Sequence, residues 1–345
     1  MKPNVPFLSS GLTPIFLAVL CGLPSGCSTP EPSRPAAAIR TNPPVPFLVW
    51  TNYRGWNDSI LLSNGRVEAI VVPAIGRVMQ FRFAGDPDGP FWDNRELNGK
   101  RPDPTSKEWM NFGGSKAWPA PQEDWDKKTL RTWPPPVGFD AMPNEARVED
   151  RNVTLISPVD PNYGIRVYRK IALDLDRPVM RITTTFEKVS GQSVRVAVWV
   201  IDQLKSPQAI YIPVPQFTRY HDGYNVQSDQ LPPDLRHEDD WISFKRDPKT
   251  SHKIGTDANS LVWMDHRIVL RIDSPRELIN ASYPDQESNA EIYTNPDPLP
   301  YVELEMLGPL HKMIVGDRIS RTSTYSLRPR RETDLDLEAA HLTAR

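Results

Sequence analysis

Cysteine is the scarcest reactive residue in this chain of 345 residues, which has only Cys21 and Cys27. Cys27 stands at the end of a possible signal peptide, and cleavage before it would leave one thiol, which would carry lipid. We therefore expect no disulfide, no cysteine-ligated zinc and no thiol nucleophile in the folded part. The alternative, a Cys21–Cys27 disulfide, would do little for a domain that starts some 20 residues later.

Other familiar signatures are missing as well. The chain has no Walker loop and no G-x-G-x-x-G, so we expect no nucleotide and no other cofactor. All six His lie at or after position 221 without metal-ligand spacing, and the acidic run at 237–240 is more typical of a solvated loop, so no metal is predicted. The net charge is −2 with no basic stripe, which argues against nucleic acid.

The first 27 residues are typical of a signal peptide. Lys2 precedes a short apolar stretch, Leu12–Leu23, that is too short for a permanent membrane span. The following LPSGC resembles a bacterial lipobox that ends at Cys27. We therefore predict an exported protein of the bacterial cell envelope, lipid-anchored at Cys27, on the periplasmic or surface side of the outer membrane. An ordinary secretory signal is the alternative.

The rest of the chain is rich in proline, with 37 Pro and 10 Trp, and reads as short strands between long loops. Residues 28–46 are a Pro- and Ala-rich spacer. Several runs alternate apolar and polar residues, as strands with one buried face do, and no strand–helix alternation is present. The prediction is an all-β, antiparallel sandwich over 47–328, followed by a charged tail, 329–345, with one weak helix at 334–342. The predicted strands are 66–73, 78–83, 153–157, 165–174, 179–188, 194–201, 209–213, 261–264, 268–273, 278–283, 301–306 and 318–327.

Two long loop-rich stretches, 84–147 and 215–260, interrupt the predicted strands. The first contains NFGGSKAWPAPQEDW, residues 111–125, whose prolines and lack of periodicity predict an irregular loop. Flat aromatic faces beside hydrogen-bonding groups suit a sugar, so Trp118, Gln122, Glu123 and Trp125 are candidate ligand contacts. A proline-braced loop whose Trp fill the core is the equally weighted alternative.

Two strands carry further candidates. In YVELEM, a period of two places Tyr301, Glu303 and Glu305 on one face, where like charges would repel unless they serve a site. An exposed polar face is the alternative. The strand VAVWVIDQ ends in Asp202 and Gln203, at a position where binding groups are often mounted but where ordinary turns also begin.

The hairpin NGRVEAIVVPAIGRVMQFRF, the loop GGSKAWPAPQ, the strand ending in WVIDQL and the late YVELEMLGP together resemble the galactose mutarotase-like superfamily. More narrowly they resemble its DUF4380 branch, whose loop typically reads G-G-H-R-x-W-P-A-P-E. The resemblance covers most of 52–327. It implies a β-supersandwich whose concave face holds carbohydrate.

Mutarotases of this superfamily use a late-strand Glu as general base and His residues as acid and ring-oxygen partner. The resemblance matches Glu305 to that Glu, with Glu303 as fallback, but the His residues do not carry over, since Ser115 stands where the branch has His. Lys116, if burial lowers its pKa, or Asp124 would have to supply the acid. Three hypotheses remain: a carbohydrate-binding lipoprotein, which the missing His favours; an aldose 1-epimerase-type enzyme; and a structural envelope protein.

Overall fold

The computed structural model describes residues 46–238, 240–277 and 280–343. The predictions for the signal peptide, for Cys27 and for nearly all of the spacer lie outside these residues. The strands are β1 Phe47–Tyr53, β2 Trp56–Ser63, β3 Val67–Val72, β4 Arg77–Phe83, β5 Gly114–Ala120, β6 Glu145–Glu149, β7 Asn152–Ile156, β8 Ile165–Leu173, β9 Val179–Lys188, β10 Val194–Lys205, β11 Ala209–Pro213, β12 Asn225–Val226, β13 Arg236–Glu238, β14 Trp241–Phe244, β15 His252–Thr256, β16 Ser260–Met264, β17 Ile268–Asp273, β18 Ala290–Thr294, β19 Tyr301–Leu307, β20 His311–Met313 and β21 Arg318–Pro329. The helices are α1 Trp125–Thr129, α2 Val137–Asp140, α3 Pro284–Glu287 and α4 Leu335–Thr343, with 3-10 turns at Pro73–Ile75, Arg95–Leu97 and Gln122–Asp124.

The strands form two antiparallel sheets that enclose one large apolar core. The first sheet has the order β1-β2-β3-β4-β5-β10-β19-β18-β15-β12, with β20 also paired to β10. The second has the order β13-β14-β11-β16-β17-β21-β9-β8-β7-β6. Side chains alternate between the two faces of each strand, so every central strand gives one set to the core and one to the opposite face. The predicted antiparallel β-sandwich is confirmed.

Most of the predicted strands are present, and two local predictions are wrong. The hairpin of β3 and β4 pairs as expected, and Gly76 closes its turn with φ 63°. In contrast, the described residues 280–283 of the strand predicted at 278–283 are not β-structure. There Asn280 has φ 78°, which breaks an extended chain, and Tyr283 instead caps α3.

The second wrong prediction concerns 111–125, where β5 occupies the middle of the supposed loop and all seven of its residues are buried. It pairs with β10 along its whole length, from Gly114–Gln203 to Ala120–Ala197, but meets β4 only at Val78–Ser115. A strand with one largely unpaired edge tolerates proline, because a missing N–H breaks no ladder there. Pro119 therefore does not prevent a strand in this position.

The tail predicted to be charged carries its helix at 335–343, close to the expected bounds. Ala339 is buried against β11, β16 and β17, and Glu338 pairs with Arg328 at 2.7 Å. Among the described residues, no helix is both long enough and apolar enough to cross a membrane.

Candidate functional site

A cavity of about 390 Å³ lies on the face of the first sheet that points away from the core. Its floor is formed by the neighbouring strands β5, β10, β19, β18 and β15. It is lined by Trp109, Trp118, Gln122, Trp133, Trp199, Lys253, Tyr293, Asn295, Tyr301, Glu303 and Glu305. Aromatic rings and charged groups thus surround one open space, as in sites for polar ring-shaped ligands.

Strand register explains why these side chains meet. Directly opposed residues of antiparallel strands point to the same face. Trp118 of β5 is opposite Trp199 of β10, and Tyr293 of β18 is opposite Glu303 of β19. Tyr301, Glu303 and Glu305 all line the cavity, as the period of two predicts.

Four tryptophans form an aromatic wall. The rings of Trp118 and Trp199 meet edge to face at 5.6 Å, and those of Trp109 and Trp133 meet at 5.0 Å. Trp133 is 42% exposed, whereas Trp118 and Trp199 are almost fully buried. The exposed ring is therefore the one with a free face at the rim of the cavity.

Asp140, from α2, fixes two of these rings. Its Oδ1 accepts hydrogen bonds from Trp118 Nε1 at 2.9 Å and from the Arg77 guanidinium at 2.6 Å. Its Oδ2 accepts from Trp109 Nε1 at 2.7 Å. Because both oxygens are used and the carboxylate is buried, the two indoles have little freedom to turn.

Lys116 reaches the same face from the middle of β5. Its Nζ lies 3.1 Å from Glu303 Oε1 and 4.6 Å from the centre of the Trp118 ring. Burial lowers the pKa of Lys116, and the nearby Glu303 charge opposes that shift. A lowered pKa is what Lys116 would need in order to act as a proton donor.

Glu305 belongs to a second charged group. Its Oε2 accepts from Trp199 Nε1 at 2.7 Å and lies 3.3 Å from Lys253 Nζ, which is also 2.7 Å from Glu291 Oε2. Burial raises the pKa of Glu305 well above its ordinary value, against the lowering effect of Lys253 and with a further rise from Glu291. Burial by itself would lower the pKa of Lys253, but the two carboxylates outweigh it and the pKa is raised.

Three candidates from the sequence do not line this cavity. Trp125 is fully buried, donates to the Pro119 carbonyl and packs behind the aromatic wall with its ring 5.6 Å from that of Trp118, so it fills the core, as the alternative interpretation of this segment had it. Asp124 pairs with Lys127 at 2.6 Å instead of facing the cavity. Asp202 points between the sheets, where both of its oxygens accept from the Tyr325 hydroxyl, because it alternates with the cavity-facing residues of β10.

The other candidates fall on or beside the cavity. Gln122 lines it and is exposed, whereas Glu123 lines a neighbouring cavity of about 370 Å³ with Gln227, Asp285 and Gln286. Gln203 lies opposite Glu303 on the same face and is fully buried. No His lines the cavity in the described part of the chain, and that part holds no group of three or more His, Cys, Asp or Glu placed to bind a metal ion.

Sequence reasoning missed Trp109, Trp133, Asp140, Lys253 and Glu291. Lys253 lies in β15, inside a stretch read as a loop, and Glu291 lies in β18, for which no strand was predicted. The run AEIYT at 290–294 alternates polar and apolar residues, so the period of two was available there as a signal. The sequence does not indicate, however, that this strand pairs with β19, which only the sheet topology shows.

Known structures resemble this fold although their sequences are remote. A galactose mutarotase-like protein from Lactobacillus casei covers 78% of this chain and 100% of its own at 9% identity and a TM-score of 0.53. A proposed aldose 1-epimerase from Escherichia coli K12 covers 78% and 98% at 12% identity and a TM-score of 0.52. The fold is galactose mutarotase-like. A galactose mutarotase related enzyme from Lactobacillus acidophilus covers 78% and 97% at 9% identity and a TM-score of 0.52.

At these identities the likeness concerns the fold alone. No protein-family model matches the sequence, and no curated protein does. Assignment to the DUF4380 branch therefore stays a prediction from the residues quoted above.

Proposed function

We propose that this protein binds carbohydrate on the outward face of its first sheet. The observation that carries the proposal is the meeting of an aromatic wall with two buried ion-paired groups, Lys116–Glu303 and Lys253–Glu305, around one cavity. Aromatic rings pack against the CH faces of a sugar, while carboxyl and ammonium groups bind its hydroxyls. Other proteins of this fold bear names that refer to galactose or aldose chemistry, which agrees with the proposal.

The test is a sugar panel followed by NMR. Hexoses, pentoses and uronic acids are each mixed with the purified protein, and both line broadening and exchange between anomers are recorded. Broadening without faster exchange is the expected result for a binding protein. Absence of both effects for every sugar, in protein that remains folded, would contradict binding of free monosaccharides.

A second candidate function is proton transfer at the anomeric carbon, as in an aldose 1-epimerase. It is favoured by two buried groups at the cavity with shifted proton affinities, because active sites concentrate such groups. Here Glu305→Gln should abolish the accelerated anomer exchange and leave sugar binding within about twofold. Equal loss of both, or of neither, would argue against a chemical role for Glu305.

We further propose that the protein is exported and anchored to the cell envelope by lipid at Cys27. The support is the lipobox-like LPSGC and the Pro-rich segment that follows it. Labelling of cells with a fatty-acid probe should mark the wild-type protein and not Cys27→Ala. Labelling of both forms, or cleavage at another residue, would contradict this anchor.

A purely structural role in the envelope would be favoured if no sugar binds.

A further inference from the structure

Glu291 and Glu305 are directly opposed residues of the paired strands β18 and β19. Both side chains are buried, with exposures of 0% and 1%. Ionised carboxylates on directly opposed residues repel each other, and neither of these two is screened by bulk water. A buried pair of this kind is stable when it holds one proton, as in other carboxylate dyads.

One oxygen of each carboxyl accepts no hydrogen bond from the described residues, and of these two only that of Glu291 is ion-paired. Glu291 Oε1 accepts from Gln227 Nε2 at 2.9 Å, and Glu291 Oε2 lies 2.7 Å from Lys253 Nζ. Glu305 Oε2 accepts from Trp199, whereas Glu305 Oε1 accepts no hydrogen bond from any described residue. A buried ionised oxygen without a donor is costly, but a protonated one becomes a donor itself.

The surrounding charges also favour one proton on the Glu291–Glu305 pair. Among the described residues, Lys253 is the single cation paired with these two carboxylates, so two ionised carboxylates would leave one uncompensated negative charge. The other charged groups that act on Glu305 or on its partners are Glu303, which is paired with Lys116, and Asp285 in the turn at 284–287. Burial, with the charge of Glu291, raises the pKa of Asp285 to about 7, so this side chain is partly ionised near neutral pH. It lines the neighbouring cavity with Glu123 and does not line this one.

We propose that Glu291 and Glu305 share one proton across the paired strands, with Glu291 as the positioning residue, and that the cavity is thereby a site for uncharged sugars. Lys116 is balanced by Glu303, and Lys253 is balanced by the singly charged pair. The cavity then has no net charge whether or not a proton moves from Lys116 to Glu303. A uronate would find no unpaired cation there, and an amino sugar would find no unpaired anion.

This inference rests on the proposed function only where it names the ligand, and its first test needs no ligand. Carboxyl carbons of Glu are labelled with ¹³C, which leaves Asp285 silent, and are followed by NMR from pH 4 to pH 9. We expect one Glu carboxyl to stay protonated at pH 7 in the wild type and to ionise at lower pH in Glu291→Gln. Glu305→Gln should lose the signal as well, whereas Glu303→Gln, a matched change two residues away on the same face, should keep it.

If every Glu of the wild type titrates with the ordinary pKa of ~4.3, the proposal of a shared proton is wrong. A protonated carboxyl that is unchanged in Glu291→Gln would overturn the role of Glu291. If that variant does not fold, the wild-type titration and Glu305→Gln still decide the question.

The ligand class is tested separately by titrating glucose and galactose against glucuronate and galacturonate at pH 7. The neutral sugars should bind at least about tenfold more tightly, a difference of about 1.4 kcal/mol. Uronates that bind as tightly as hexoses would overturn the assignment to uncharged sugars. Absence of binding by all four would count against the proposed function and the ligand class together, and it would leave the titration result standing.

Discussion

Asp202 and Glu305 lie on adjacent central strands, one position out of register, and their environments differ completely. Both are buried carboxyl groups with raised pKa values. Asp202 points between the sheets, where both of its oxygens accept from the Tyr325 hydroxyl. Glu305 points the other way, borders a cavity and keeps one oxygen without a donor. Burial and a shifted pKa therefore do not identify a functional site by themselves. The site is identified by the strand face that carries the side chain and by a carboxylate oxygen that accepts no hydrogen bond.

The largest expected effect comes from removing the core carboxyl. Asp202→Ala leaves the Tyr325 hydroxyl without its acceptor and the buried Arg169 without a nearby anion, so stability should fall by about 3–5 kcal/mol. Denaturant unfolding at about pH 5 measures the loss, because the contribution of Asp202 to stability is present below its raised pKa and declines above it. Sugar affinity of the folded protein should stay within about twofold, and a large affinity loss in a fully folded sample would contradict the separation of the two faces.

The pH dependence of stability sharpens the comparison. Burial raises the pKa of Asp202 to about 6, against ~3.9 in an unfolded chain. Between these values the unfolded chain releases its proton first, so the contribution of Asp202 to stability is full below pH ~4 and is lost as the pH rises through about 6. Relative to Asp202→Asn, the wild type should lose about 3 kcal/mol over this range.

Denaturant titrations of both proteins at a series of pH values provide the measurement. The difference between them isolates Asp202 from the other titrating groups, Glu305 included. Parallel curves for the two proteins would show that Asp202 keeps an ordinary proton affinity.

Asp140 shares features of both environments, because it is buried like Asp202 but holds two indole rings of the cavity in place. In Asp140→Asn one oxygen becomes an NH₂ group that cannot accept from Trp109 or Trp118, and Arg77 loses its anion. We expect a stability loss of about 1–3 kcal/mol together with weaker sugar binding. Unfolding and sugar titrations on the same samples test this, and a loss of stability with unchanged affinity would show that ring orientation does not matter.

Alternation along single strands was readable from the sequence. A period of two placed Tyr301, Glu303 and Glu305 on one face correctly, because that orientation depends on the strand alone. The same rule applied to VWVIDQ places Asp202 on the opposite face from Trp199 and Gln203. Asp202 was wrongly predicted to contact the ligand because the strand end was treated as one group and not as two alternating faces.

Pairing between distant segments was not readable. Lys253 and Glu291 enter the site because β15 and β18 lie next to β19, and nothing local indicates that neighbour. The position of β5 was hidden for a related reason: a proline-containing segment becomes a central strand only when β10 pairs with one edge and the other edge is left largely unpaired.

The smallest expected effect concerns the rim of the cavity, where Trp133 is 42% exposed. Trp133→Ala removes an aromatic face from the cavity together with the ring contacts of Trp133 to Trp109 and Trp125, so stability should fall by about 1–2 kcal/mol. Sugar affinity should fall about tenfold, since a stacked ring contributes on the order of 1 kcal/mol. Trp50→Ala is the matched control, because Trp50 is 59% exposed on β1, at the edge of the same sheet. If the two variants bind sugar equally well, the aromatic wall does not contact the ligand and the cavity takes it by its charged groups alone.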